Sequence, residues 1–112
     1  MYSKELLKGT LSIIILKLLS ERDRMYGYEM YQEVKELTDG KILLKDGSLY
    51  PALQKLTGDG LLSFKEENVG GRIRKYYYLT KKGHKEKIAY VAELKDFMAT
   101  INKIVFPELK VT

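Results

Sequence analysis

Four polar side chains share one short stretch, Asp46-Gly-Ser-Leu-Tyr-Pro-Ala-Leu-Gln-Lys-Leu-Thr-Gly-Asp-Gly-Leu-Leu62. Ser48, Tyr50, Gln54 and Lys55 have the chemistry to donate to phosphate oxygens, stack on a sugar edge or hydrogen-bond a base edge. Leu49, Leu53 and Leu56 recur at steps of four and three, the stripe of a helix that turns the polar residues outward. The same positions allow plainer roles: Tyr50 could pack into a core, and Gln54 could face solvent. Lys41 and Lys45 flank the stretch and add positive charge. A second set, Arg72, Arg74 and Lys75, lies beside Gly70-Gly71 and suits phosphate or a minor groove. Side chains alternate along a strand, so Arg74 shares a face with Tyr76 and Tyr78, and Lys75 with Tyr77. The tyrosines read as sheet and core packing.

Other chemistries lack their residues. The chain has 112 residues, no cysteine and one histidine, His84, which leaves no disulfide, thiolate site or multi-histidine metal cluster. Glu66-Glu67 are neighbours on a strand and point to opposite faces. Nothing supports nucleophilic, acid–base or metal catalysis, so neither an enzyme nor a cofactor or metal site is expected. The longest apolar run, Ile13–Leu16, is too short to span a bilayer, and the N-terminus does not resemble a signal peptide. A cytoplasmic protein without membrane contact is expected. Net charge is +5, and its distribution is uneven. Residues 41–85 carry 10 Lys/Arg against 4 Asp/Glu, whereas 1–40 carry 6 against 7 and 86–112 carry 4 against 4. A basic block on a balanced chain is a footprint for polyanions or a solvated cationic face.

The elements that must position these residues follow from periodicity. Lys4 to Ser20 reads as one helix with a wide apolar face that includes Leu6, Leu7, Leu11, Ile14, Ile15, Leu18 and Leu19. After the polar break 21–24, a second helix opens at Met25 and runs to about Thr38, with Tyr28, Tyr31 or Met30, Val34 and Leu37 as its stripe. Gly27, at its start, would permit close backbone approach. Residues 41–45 form an extended connection or strand. The polar-faced helix follows over 47–59. Its N-cap lies among Asp46, Gly47 and Ser48, and Pro51 falls in the first turn. Two strands, Leu61–Val69 and Ile73–Leu79, flank Gly70-Gly71 as a tight hairpin. Thr80 caps a last helix that ends at Val105. Its Val91, Leu94, Met98, Ile101 and Val105 keep heptad spacing. The outline is a mostly α chain with a small β-hairpin wing: a winged helix-turn-helix over 1–80 and a C-terminal helix over 81–112.

With these pieces in place, the chain resembles the PadR family of bacterial transcriptional regulators. The matching residues are Gly9-Thr-Leu11, Tyr26-Gly-Tyr-Glu29, Gly47-Ser-Leu-Tyr-Pro-Ala-Leu53, Leu56 through Gly60-Leu61, Gly71-Arg72, and Arg74-Lys-Tyr-Tyr-Tyr-Leu-Thr80 with Gly83. They span about residues 9–83 in the family's order, and the single C-terminal helix looks like the compact subgroup. The resemblance implies a homodimer of winged helices on a palindromic double-stranded operator, usually as a repressor. Phenolic acids or planar hydrophobic drugs relieve some members. Some drug-binding relatives stack the ligand on an interface tryptophan, and this chain has no Trp.

The expected DNA-contact set is Lys45, Ser48, Tyr50, Gln54, Lys55, Arg72, Arg74 and Lys75. The expected dimer interface joins N- and C-terminal helices through Leu7, Leu11, Val91, Leu94, Phe97, Met98, Ile101, Ile104 and Val105. The other reading of that seam is packing of the last helix onto the first in the same chain. Tyr2, Tyr90, Phe97 and Met98 could line an effector pocket or be interface core, and no ligand site is assigned. A winged-helix protein-interaction module is the alternative to a DNA-binding regulator.

Overall fold

The apolar repeat from Leu6 to Leu19 does not give one helix. In the computed structural model, which describes residues 2–108, it splits into α1 (Lys4–Lys8) and α2 (Leu11–Glu21). The Gly9 and Thr10 backbone N–H groups both turn back to the Leu7 carbonyl, which the Thr10 hydroxyl also meets at 3.1 Å. α1 buries none of its residues. It therefore lacks the packing that would carry a helix through a glycine against propensity.

α2 is the floor of the core and buries Ile15, Leu16, Leu18 and Leu19. The next helix, α3 (Gly27–Leu37), starts two residues later than the periodicity predicts. Met25 is held elsewhere. Its N–H donates to the Tyr77 carbonyl at 3.1 Å, and the Tyr77 N–H donates back at 2.9 Å, so Met25 acts as a one-residue strand. α3 turns Met30 and Val34 inward, whereas Tyr28 and Leu37, expected on the apolar stripe, are 58% and 70% exposed. Residues 41–45 form no strand, and Leu44 drops into the core from this connection.

α4 (Asp46–Gly58) also begins earlier than expected, with Lys45 as N-cap and no side-chain capping bond. The N–H groups of Ser48 and Leu49 both reach the Lys45 carbonyl, at 3.0 and 2.8 Å, so the first turn closes before Ser48 could cap it. Pro51 consequently sits in the second turn rather than the first. Its missing N–H leaves the Gly47 carbonyl without its helical donor, at an exposed turn where water can replace it. Leu49, Leu53 and Leu56 are buried, as the stripe requires.

β1 (Leu62–Val69) and β2 (Arg72–Leu79) form an antiparallel hairpin in which Leu62 faces Leu79 and Val69 faces Arg72. Gly70 and Gly71 both take positive φ, +57° and +83°, the requirement of a two-residue turn matched to strand twist. One sheet face sends Leu62, Tyr77 and Leu79 into the core, and the other carries Lys65, Glu67, Arg74 and Tyr76. The last helix, α5 (Lys81–Val105), is capped by the Thr80 hydroxyl, which accepts from the Gly83 N–H at 3.0 Å. That hydroxyl also donates to the Gly60 carbonyl at 2.6 Å, and Lys82 Nζ donates to the Asp59 carbonyl at 2.9 Å. Gly83 packs so tightly that a Cβ there would stand 2.1 Å from the Leu61 carbonyl oxygen. The start of α5 is thereby fixed to the end of α4. Residue 1 and residues 109–112, the outer limits of the two expected regions, lie outside the described residues.

Candidate nucleic-acid interface

The outward side of α4 is built by exclusion. Three leucines claim the core, so Ser48, Tyr50, Pro51, Gln54 and Lys55 are all left at the surface. Gly47, Pro51 and Gly58 lie along the middle of that side, where their small side chains keep the backbone accessible. Ser48 and Lys55 are seven residues apart and share one flank. With Lys4 and Lys8 they rim a concavity of about 460 Å³ walled by Leu7, Leu11, Leu43, Leu44, Pro51 and Ala52. Lys4 and Lys8 are thus cations near the α4 surface that sequence reasoning did not single out.

Tyr50 takes the opposite flank and stays outside the buried core. It is 43% exposed, yet its hydroxyl lies where a Cβ on Gly27 would be, 2.6 Å away. The glycine at the head of α3 therefore serves close approach, as its position suggested. Tyr50 also stands near Tyr77. Burial first, and Tyr50 second, push the Tyr77 phenol above its ordinary pKa, so Tyr77 is a neutral core group.

The wing separates the three cations that the sequence placed together. Arg72 is exposed beside the turn. Lys75 lies on the sheet face that carries Phe64 and Tyr77, with its ammonium 4.7 Å from the Phe64 ring centre. Arg74 lies on the other face, and its guanidinium sits 4.4 Å from the centre of the Tyr26 ring. Arg24 joins it there, 4.0 Å from the Tyr76 ring centre and hydrogen-bonded to Glu67. That bond is the leading reason why the Glu67 carboxyl titrates below its ordinary value and the Arg24 guanidinium above it. Arg24 had read as part of a polar break, because its partner is 43 residues away in sequence.

α5 packs against α2 of the same chain and still leaves most of its apolar side chains open. Gly83 is its only buried residue, and Phe97, Met98, Ile104 and Val105 are more than half exposed. Val91 and Ile101 are exposed and Leu94 is half-buried. Leu7 and Leu11 are half-buried, and Leu11 packs against the core. Tyr90 packs there too, while Tyr2, Phe97 and Met98 are exposed. Among the described residues, no helix is long and apolar enough to cross a membrane, and no three His, Cys, Asp or Glu side chains could hold a metal ion.

A model of the transcriptional regulator PadR-like family matches residues 15–88, the whole span from α2 through the wing into α5. The chain belongs to the PadR-like family. This PadR-like chain is 34% identical over 107 residues to an uncharacterised protein X of Lysinibacillus sphaericus, covering 94% of the chain and 93% of that protein. It is 36% identical over 75 residues to the transcriptional regulator YqjI of Escherichia coli K12, covering 67% of the chain and only 34% of YqjI. Among solved structures, a transcriptional regulator from Clostridium thermocellum superposes with a TM-score of 0.84 at 29% identity, over 91% of this chain and 99% of that one. A PadR-like transcriptional regulator from Bacillus cereus superposes with a TM-score of 0.74 at 26% identity, over 92% and 98% of the two chains. The mostly helical fold with its two-stranded hairpin is thus the PadR-like winged helix-turn-helix, a DNA-binding fold. Its family, YqjI and the two solved structures are transcriptional regulators, not enzymes.

Proposed function

We propose that the chain is a homodimeric regulator that binds a palindromic double-stranded operator and represses transcription. In this reading α4 enters the major groove. Lys45, Ser48, Gln54 and Lys55 reach phosphates and base edges, and Tyr50 reaches the sugar-phosphate edge from its place beside α3. The wing carries Arg72 at its tip to flanking phosphates, with Arg74 and then Lys75 further from the turn along β2. The observation that carries the reading is α4 itself. It spends its leucines on the core and leaves a polar side with Ser48, Tyr50, Gln54 and Lys55 exposed, inside a fold matched to PadR-like transcriptional regulators.

The apolar seam of α5 supports pairing through Val91, Leu94, Phe97, Met98, Ile101, Ile104 and Val105, joined by Leu7 and Leu11 from the N-terminal helices. Residues 1–80 then form the DNA-binding region and 81–112 the dimerisation region. The protein acts in the cytoplasm, on the nucleoid when bound. A small hydrophobic or phenolic effector relieves repression, as the family likeness implies.

The test is a salt titration. Full-length protein is bound to a random-sequence duplex of about 30 bp between low and physiological salt. Log affinity should fall linearly with log salt, and Arg72→Ala and Lys55→Ala should each reduce the slope by roughly 0.9. Binding that ignores salt, or no binding, would sink the DNA reading.

A further inference from the structure

The second sheet face of the wing holds a chain of stacked groups, of which only Arg74 belongs to the expected DNA-contact set. Arg24 covers the Tyr76 ring, the edge of Tyr76 meets Tyr26 at 5.4 Å and 74°, and Arg74 covers Tyr26. Each link joins a different part of the fold. Arg24 and Tyr26 belong to the connection between α2 and α3, whereas Tyr76 and Arg74 belong to β2. Glu67 on β1 ties Arg24 from across the hairpin. Between the two anchors, Met25 exchanges backbone hydrogen bonds with Tyr77. The Tyr26 N–H in turn donates to Glu29 in the first turn of α3, at 3.1 Å. Met25 therefore bridges to β2 from the core side, and its neighbours Arg24 and Tyr26 lie on the outer stack.

A two-stranded hairpin is marginal by itself, and the outer half of this one, residues 66–73, buries none of its residues. Its angle to α3 and α4 must be set where it leaves the body. We propose that Arg24 and Tyr26, acting through Tyr76, are positioning residues that clasp the wing at a fixed angle to α4 and so determine its share of phosphate contacts. The clasp holds Arg74 against Tyr26, which leaves Lys65, Arg72 and Lys75 as the cations the wing offers. This inference rests on the proposed DNA binding, and the experiment separates the two.

The decisive variant removes no charge. Tyr26→Leu is compared with the wild type on the same random-sequence duplex, over the same salt range. The clasp predicts a slope reduced by roughly 1, as if a phosphate contact were lost. It also predicts affinity at low salt down several-fold, and faster amide exchange in residues 64–76 in a protein that still melts cooperatively, with its melting temperature lowered by only several degrees. Arg24→Met should give the same pattern, and Arg24→Lys, which restores a cation over Tyr76, should recover most of the slope. If Tyr26→Leu proves too unstable, Glu67→Ala removes the acceptor that ties Arg24 to β1 at a partly exposed site, and it should shift slope and exchange in the same direction. A folded Tyr26→Leu with wild-type slope and exchange would overturn the clasp while leaving the DNA reading intact. A wild type without salt-dependent binding would overturn both.

Discussion

At Gly27 the difference between a hydrogen and a methyl group is the place of a whole tyrosine ring. Tyr50 is half open to solvent and can swing away, so Gly27→Ala should cost less than about 1 kcal/mol. The sign should depend on the partner. In a Tyr50→Ala background the clash is gone and alanine's better helix propensity remains, so the same change should be neutral or slightly stabilising. Urea unfolding of the four proteins of this cycle checks it, and equal costs in both backgrounds would remove the contact as the cause. The Tyr26–Tyr76 edge contact belongs to the same scale, since such pairs contribute about 0.5–1.5 kcal/mol beyond their buried area. Tyr50 and Gly27 were each legible in the sequence as types. Their meeting was not, because it is a tertiary contact between the starts of two helices.

Elements were legible where one period ran unopposed. The leucine stripe of α4, the alternating strands around Gly70-Gly71 and the capped start of α5 at Thr80 all appear as the pattern predicts. Patterns failed where a local group competed. Gly9 and Thr10 stop α1 although the apolar repeat passes through them, and Met25 leaves α3 for a backbone pairing with Tyr77 that no local signal announces. Lys45 caps α4 only through its carbonyl, so Asp46, Gly47 and Ser48 lose the role that their types suggest. The sharpest element-level prediction concerns the joint between α4 and α5. A Cβ at Gly83 would meet a backbone carbonyl, which cannot swing aside as Tyr50 can. Gly83→Ala should therefore cost more than about 3 kcal/mol or prevent folding. Gly58→Ala is the control: its Cβ meets nothing within 4 Å, so it should be neutral or stabilising by up to about 1 kcal/mol. Thermal melts of the two variants decide it, and a native-like Gly83→Ala would show that the joint can yield.

For the whole molecule, what matters is how many copies act together. An α5 with one buried residue has little reason to persist as 25 residues of helix unless its seam is covered. Leu94→Glu with Ile101→Glu should give a folded monomer by sedimentation, because both sites are already partly open to solvent. That monomer should also bind duplex DNA far more weakly, since two linked sites gain from effective concentration. A double variant that still sediments as a dimer would move the interface to another surface.

The welded joint at Gly83 makes α5 a lever arm. Its 25 residues span about 37 Å, so a tilt of about 5° at the joint displaces the far end by about 3 Å. With Thr80 bonded to Gly60, and Lys82 to Asp59, α4 is carried by the same rotation. In the proposed homodimer the crossing angle of two α5 helices would act as a caliper setting, which fixes how far apart the two α4 helices stand and hence how many base pairs separate the half-sites they fit.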